Sequence, residues 1–109
     1  MPPARITTEA QWARALAAPR YLIFKHSPIC PVSTRAQREY HAFLEAHTNV
    51  PSTWIDVIGS RALSRAVAEE TGVRHESPQA LLVEAGRVVW HASHGAITRA
   101  SLAAAIRRG

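Results

Sequence analysis

Cys30 is the only cysteine in the 109-residue chain, and it stands in the stretch YLIFKHSPICPVSTRAQREY, residues 21–40. An apolar run ends in the basic pair Lys25 and His26, Pro28 and Pro31 bracket the thiol, and a helical pattern begins directly after it. Cys30 is thereby expected at a helix N-terminus, where unpaired backbone N–H groups and the helix dipole favour an anion. Lys25 and His26 add positive potential. The thiolate is the nucleophilic form of cysteine, so this position suits a reactive thiol. Most free cysteines are small buried apolar residues. A place after the strand, between prolines and ahead of the apolar helical face argues for reactivity instead.

The spacing selects the kind of thiol chemistry. In Cys30-Pro31-Val32-Ser33, serine stands where a C-x-x-C redox pair has its second cysteine. A hydroxyl cannot resolve a mixed disulfide, although Ser33 remains able to donate a hydrogen bond to the thiolate. The single thiol must then exchange with a soluble partner.

Ser77-Pro78 is the second marked feature, because a proline before a buried strand is tolerated mainly at the strand's first residue. Base rates favour a trans bond there. A cis bond would turn the preceding backbone toward the Cys30 loop, where main-chain groups can pair with a bound thiol compound. His91 and His94 form H-x-x-H, and with His75 and Cys30 they offer metal-ligand types. One such pair in a loop is a weak signal, so no metal is expected, and hydrogen bonding around an anionic ligand is the favoured role. His41 and His47 fall on the helix after Cys30 and are expected to face solvent.

The elements that must position these groups follow from capping and periodicity. Thr8-x-x-Gln11 is a capping box, and Trp12, Ala15 and Leu16 share one face, which predicts a helix over 9–18 that Pro19 ends. YLIFK lacks helical length and reads as a strand covered on both faces. From 31 to about 47 the pattern is helical, with Ala36, Tyr40, Phe43 and Leu44 at core spacing and Arg35, Arg38, Glu39 and Glu45 elsewhere. STWIDVI reads as a strand, RALSRAVAEET as a helix stopped by Gly72, and QALLVEAGRVVWH as a hairpin turning at Ala85-Gly86. A last helix runs from Thr98, its N-cap, to 108. MPPAR is expected to fray.

The order α-β-α-β-α-β-β-α suits a four-stranded mixed sheet with helices on both faces. If the third strand runs antiparallel to the first, HSPICPVS, RHESPQ and HASHG meet at one edge of the sheet. That edge is where chemistry is expected.

Bulk properties narrow the function classes. The length suits one domain over 1–109. No apolar run approaches the ~18 residues of a membrane span, and the N-terminus has no secretory segment, so a cytoplasmic monomer is expected. A lone cysteine makes no internal disulfide and fits a reducing compartment. Thirteen Lys and Arg against eight Asp and Glu give +5, a bias toward anionic partners. Binding of nucleic acid through Arg61, Arg65, Arg74, Arg107 and Arg108 is disfavoured, because no continuous basic stripe or recognition motif accompanies them. No glycine-rich phosphate loop is present, Ser33 and Thr34 lack a base partner, and Glu69, Glu70 and Glu76 read as surface charge.

The α/β order, the cysteine ahead of a helix and the proline before the third strand resemble the thioredoxin superfamily. More specifically, FKHSPICPVS, GVRHESPQALLV and VVWHASHGAIT resemble the YtxJ-type monothiol bacilliredoxins. The resemblance implies a thioredoxin-like fold, a cis Pro78, and removal of bacillithiol from S-bacillithiolated proteins through a mixed disulfide at Cys30. Bacillithiol would serve as co-substrate, and free bacillithiol or a reductase would regenerate the thiol. Because bacillithiol carries a malate moiety, Lys25, His26, Arg35, His75 and His94 are candidates to pair with its carboxylates, and Ser33, Ser77 and Pro78 to line the thiol site. Two readings within the same fold stand beside this one: a redox sensor without turnover, and a thiol-dependent iron-sulfur ligand.

Overall fold

The capping and periodicity signals become helices close to their expected bounds in the computed structural model, which describes residues 3–108. Helix α1 spans Glu9–Ala17, α2 Pro31–Ala46, α3 Arg61–Thr71 and α4 Arg99–Arg108. At the start of α1, Thr8 Oγ1 accepts from Gln11 N–H while the Gln11 side chain accepts from Thr8 N–H, so two orphan donors are satisfied reciprocally. Thr98 and Ser101 do the same for α4. Helix α3 stops at Gly72, whose φ of 72° is open to glycine at low cost.

Five strands make one mixed sheet: β1 Ala4–Arg5, β2 Arg20–His26, β3 Ser52–Asp56, β4 Gln79–Glu84 and β5 Arg87–Ser93. Their order is β1-β3-β2-β4-β5. β3 lies parallel to both β1 and β2, whereas β4 is antiparallel to β2 and β5 to β4. The hairpin joining β4 and β5 turns through Ala85 at φ 52° and Gly86 at φ 80°, the positive pair that a tight turn matched to strand twist requires.

The expected four strands are thus five. The extra strand, β1, comes from the segment expected to fray. It is held because Ala4 and Arg5 pair with Thr53 and Trp54, and because the Arg5 guanidinium lies 5.6 Å from the Trp54 ring and 3.5 Å from Asp56. Met1 and Pro2, in the same segment, lie outside the described residues.

Alternation along the strands divides the core into two layers. Ile23, Ile55, Leu81 and Val83 pack with Trp12 of α1 and Val67 of α3. Leu22, Phe24 and Leu82 pack on the opposite face with Tyr40 and Phe43 of α2 and Leu102 of α4. Each such side chain, fully buried, contributes about 1.5–3 kcal/mol. These two layers fix β2 between its neighbours and α2 against β2, and so fix the loop 27–30 that joins them.

Candidate active site

Because β4 runs antiparallel to β2, the end of β2, the start of β4 and the end of β5 share one sheet edge, with Lys25 opposite Gln79 and Gln79 opposite Ser93. Cys30 is at this edge as the N-cap of α2, with Pro31 in the first turn where its missing N–H costs nothing. Its backbone is pinned on both sides. Cys30 N–H donates to Ser27 O at 3.2 Å, and Cys30 O accepts from Thr34 N–H at 3.1 Å. The side chain makes no capping bond and is half-buried, which leaves the thiol available at the helix terminus.

The thiol opens onto a groove of about 430 Å³ lined by Pro28, Ile29, Cys30, Pro31, Arg35 and Arg38, among others. Ile29 is 82% exposed and Val32 45%, so the rim beside the thiol is apolar. The two arginines come from successive turns of α2. Arg38 was not singled out from the sequence, although its spacing of eight from Cys30 puts it on the same helical stripe.

Ser33 does not bond Cys30. It is fully buried, and its Oγ accepts from Ser27 N–H at 2.9 Å and lies 2.9 Å from His26 Nδ1. With Ser27 N–H already donating to this oxygen, the assignment that satisfies both side chains has the hydroxyl donating to His26 Nδ1 and the neutral ring protonated at Nε2. Burial lowers the pKa of His26, with Asp56 opposing and His41 reinforcing the effect, which favours this neutral form. The ring also packs edge-on against Trp54 with centroids 5.9 Å apart. Together these contacts hold loop 27–30 to β2.

Lys25, one residue earlier in β2, necessarily points to the opposite sheet face. Its Nζ is fully buried, donating to Ser64 O of α3 and to His75 Nδ1, each at 3.1 Å. Desolvation lowers the Lys25 pKa to about 8 and, together with Lys25 and Arg65, also lowers that of His75, with Glu76 opposing. The expected positive potential of Lys25 and His75 therefore sits under α3, and neither residue lines the thiol groove. His26 and His94 do not line it either. Gln79 completes the α3-side cluster, donating from Nε2 to Arg74 O at 2.9 Å. Ser64 and Gln79 drew no notice in the sequence, because a serine within a helix and a glutamine opening a strand are ordinary there.

The Ser77–Pro78 bond is cis. His94 N–H donates to Pro78 O at 3.0 Å, so the turn after β5 closes on the start of β4. Ser77 Oγ is buried there without a hydrogen-bond partner. Glu69 and Glu70 are exposed, as expected of surface charge, although Glu70 also accepts from the buried Trp12 Nε1 at 2.6 Å; Glu76 is held below the usual carboxylate range, with the hydrogen bond to Ser93 the first cause. His47 also departs from expectation: it caps α2 and stacks on Phe43 at 4.4 Å, while His41 is exposed. Among the described residues, no three His, Cys, Asp or Glu side chains gather as a metal set.

The N-cap cysteine of α2 and the cis proline ahead of β4 thus belong to segments that meet at one edge of the sheet. The family model of the monothiol bacilliredoxin BrxC matches residues 4–102. This chain belongs to the monothiol bacilliredoxin family.

The solved structures agree on the fold of this bacilliredoxin. One described as a candidate oxidoreductase with a thioredoxin fold is 32% identical, with 94% of this chain and 92% of that chain covered and a TM-score of 0.88. Mitochondrial thioredoxin 3 from Saccharomyces cerevisiae, at 13% identity, covers 98% of this chain and 95% of its own with a TM-score of 0.78. Thioredoxin from Trypanosoma brucei brucei, at 10% identity, covers 98% and 89% with a TM-score of 0.82. The fold of this bacilliredoxin is that of thioredoxin, and its chemistry is thiol redox chemistry. Among the described residues, no helix is long and apolar enough to cross a membrane.

Proposed function

We propose that this protein is a monothiol oxidoreductase that removes bacillithiol from S-bacillithiolated proteins. The observation that carries this reading is the division of labour in the C-x-x-S segment. Cys30 stands half-exposed at the groove, while Ser33 is fully buried and engaged with His26 and Ser27. The segment therefore supplies one attacking sulfur and no resolving group.

The Cys30 thiolate attacks the bacillithiol sulfur of a protein mixed disulfide. A new disulfide forms between Cys30 and bacillithiol, the old S–S bond breaks, and the protein thiolate leaves and takes a proton from water. A second thiol, free bacillithiol or one delivered by a reductase, then attacks the bacillithiol sulfur. It releases the Cys30 thiolate and leaves as the new disulfide, so the two electrons come from that second thiol and its partner. The apolar rim formed by Ile29 and Val32 supports docking of the protein substrate.

The test is release of a thiol from an S-bacillithiolated protein, followed with intact-mass analysis of this protein. Catalytic release with a bacillithiol adduct on Cys30, abolished in Cys30→Ala, is the expected result. Adduct formation without turnover under excess bacillithiol would instead make Cys30 a sensor.

A further inference from the structure

The last pair in the register between β2 and β4 is Lys25 opposite Gln79, on the sheet face that α3 covers. Both side chains are fully buried, at 0% and 1% exposure, although their neighbours along and across the strands on that face are Ile23, Ile55 and Leu81. Each reaches the same irregular stretch between α3 and β4. Gln79 Nε2 donates to Arg74 O at 2.9 Å, and Lys25 Nζ donates to His75 Nδ1 at 3.1 Å, with Ser64 Oγ 3.2 Å from that nitrogen. Two facing side chains thus hold two consecutive residues. Val73 packs into the core, but from Arg74 to Ser77 no side chain is apolar, so the ties on this stretch are polar. The stretch runs to the sheet edge that carries Cys30, and among the described residues the main chain of Glu76 and Ser77 pairs with no other main chain. Those groups are open to an extended chain docked at the thiol.

We propose that Lys25 is a positioning residue for thiol exchange: with Gln79 it clamps the Arg74–Ser77 stretch through His75, so that the main chain of Glu76 and Ser77 is presented, already ordered, to a polypeptide whose disulfide Cys30 attacks. The kinetic consequence rests on the exchange chemistry proposed above, whereas the ordering of the stretch rests on the hydrogen bonds alone. A buried lysine is unfavourable in itself. Desolvation lowers its pKa to about 8, and an apolar side chain of similar volume at such a place is commonly neutral or stabilising. The presence of Lys25 is accounted for by what it holds. A stretch ordered in advance spares the entropy of fixing it on binding, which favours a polypeptide substrate. A small disulfide without a main chain gains nothing from it.

The experiment uses Lys25→Met, with His75→Leu and His75→Asn as a second pair. Asparagine places Oδ1 where histidine has Nδ1 and keeps an acceptor for Lys25, whereas leucine removes it. Single-turnover rates are measured with a peptide carrying a bacillithiol mixed disulfide and with hydroxyethyl disulfide. In each case Cys30 forms one new disulfide and one thiolate leaves. Lys25→Met and His75→Leu should react about five- to tenfold more slowly with the peptide and within about twofold of wild type with hydroxyethyl disulfide. His75→Asn should stay within about twofold with both. In Lys25→Met the amide order parameters of residues 75–77 should fall from about 0.85 toward about 0.6. Its stability at pH 7 should equal or exceed that of wild type, which separates the slowing from general loss of structure. Unchanged order parameters in Lys25→Met overturn the clamp. Greater motion with an unchanged peptide rate overturns its part in exchange, and equal slowing with both disulfides does so too, because Lys25 would then act on the thiol itself. A wild type that modifies with hydroxyethyl disulfide but not with the peptide overturns the bacillithiol reading, and the order parameters then decide the clamp.

Discussion

Ser33 Oγ sits 2.9 Å from His26 Nδ1, and the same oxygen accepts Ser27 N–H at 2.9 Å. The residue in the resolving position of the C-x-x-S segment is thus a brace between helix α2, strand β2 and the loop that carries Cys30. Ser33→Ala would leave the Ser27 N–H and His26 Nδ1 without their partner, at about 1–2 kcal/mol of stability. The initial rate of Cys30 modification by a small disulfide should change less than threefold, since the hydroxyl does not bond the thiol. Denaturant titration and adduct kinetics read the two effects separately. A large loss of rate in a stably folded Ser33→Ala would show that the hydroxyl serves the thiolate directly.

Ser33→Cys should convert the monothiol into a resolving pair. Positions 30 and 33 lie one helical turn apart, within the Cα separation of about 4.4–6.8 Å that a disulfide spans. The bacillithiol adduct on Cys30 should then collapse to an internal disulfide, giving a mass loss of two hydrogens from the reduced protein and no persisting adduct. Persistence of the adduct for as long as in wild type would mean that the buried side chain at 33 cannot reach the sulfur.

Lys25 should leave a signature in the pH dependence of stability. Desolvation lowers its pKa to about 8 in the folded protein. The unfolded chain keeps this proton to about pH 10.4. Between these values the unfolded state binds more protons, so stability rises with pH, and below about pH 8 the cost of burying the charge is felt in full. After allowance for solvent screening, the size is on the order of 2 kcal/mol. Lys25→Met should remove the rise and increase stability at pH 7, measured by denaturant melts from pH 7 to 10. An identical slope in the variant would place its origin in another group.

At the acid end, His26 acts in the opposite window. Burial lowers its pKa, so near and below the ordinary histidine value of about 6.5 the unfolded state binds more protons than the folded one. Stability therefore falls as pH drops through that region, until the folded form also titrates. His26→Phe keeps a ring beside Phe24 and Trp54 and should make the decline shallower, with His75 supplying what remains. A decline of unchanged steepness would exclude His26 as a source.

The β4–β5 hairpin offers a gain. Ala85 holds φ at 52°, a region that costs a residue with a Cβ roughly 1–2 kcal/mol. Asn and Gly are the residues such a turn prefers at this position. Ala85→Asn should raise stability by about 0.5–1 kcal/mol without altering Cys30 kinetics. Thermal denaturation alongside the adduct assay checks both halves of this expectation.

The sequence by itself determined the helices, the hairpin and the place of Cys30, because caps, prolines and apolar periodicity act within a few residues of one another. Thr8 with Gln11, Gly72, Ala85-Gly86 and Thr98 each specify a boundary locally, and the structure keeps those boundaries within a residue or so. Strand β1 was not legible, because two residues carry no period and are held by distant Thr53, Trp54 and Asp56. Only the tertiary structure decided which charges accompany the thiol. Lys25 and His26 are adjacent in the chain, yet strand alternation sends one under α3 and the other to Ser33. Arg38, eight residues beyond Cys30, is returned to the groove by the turn of α2. Proximity along the chain predicted positive charge at the thiol, and the pleat of one strand and the pitch of one helix chose which residues provide it.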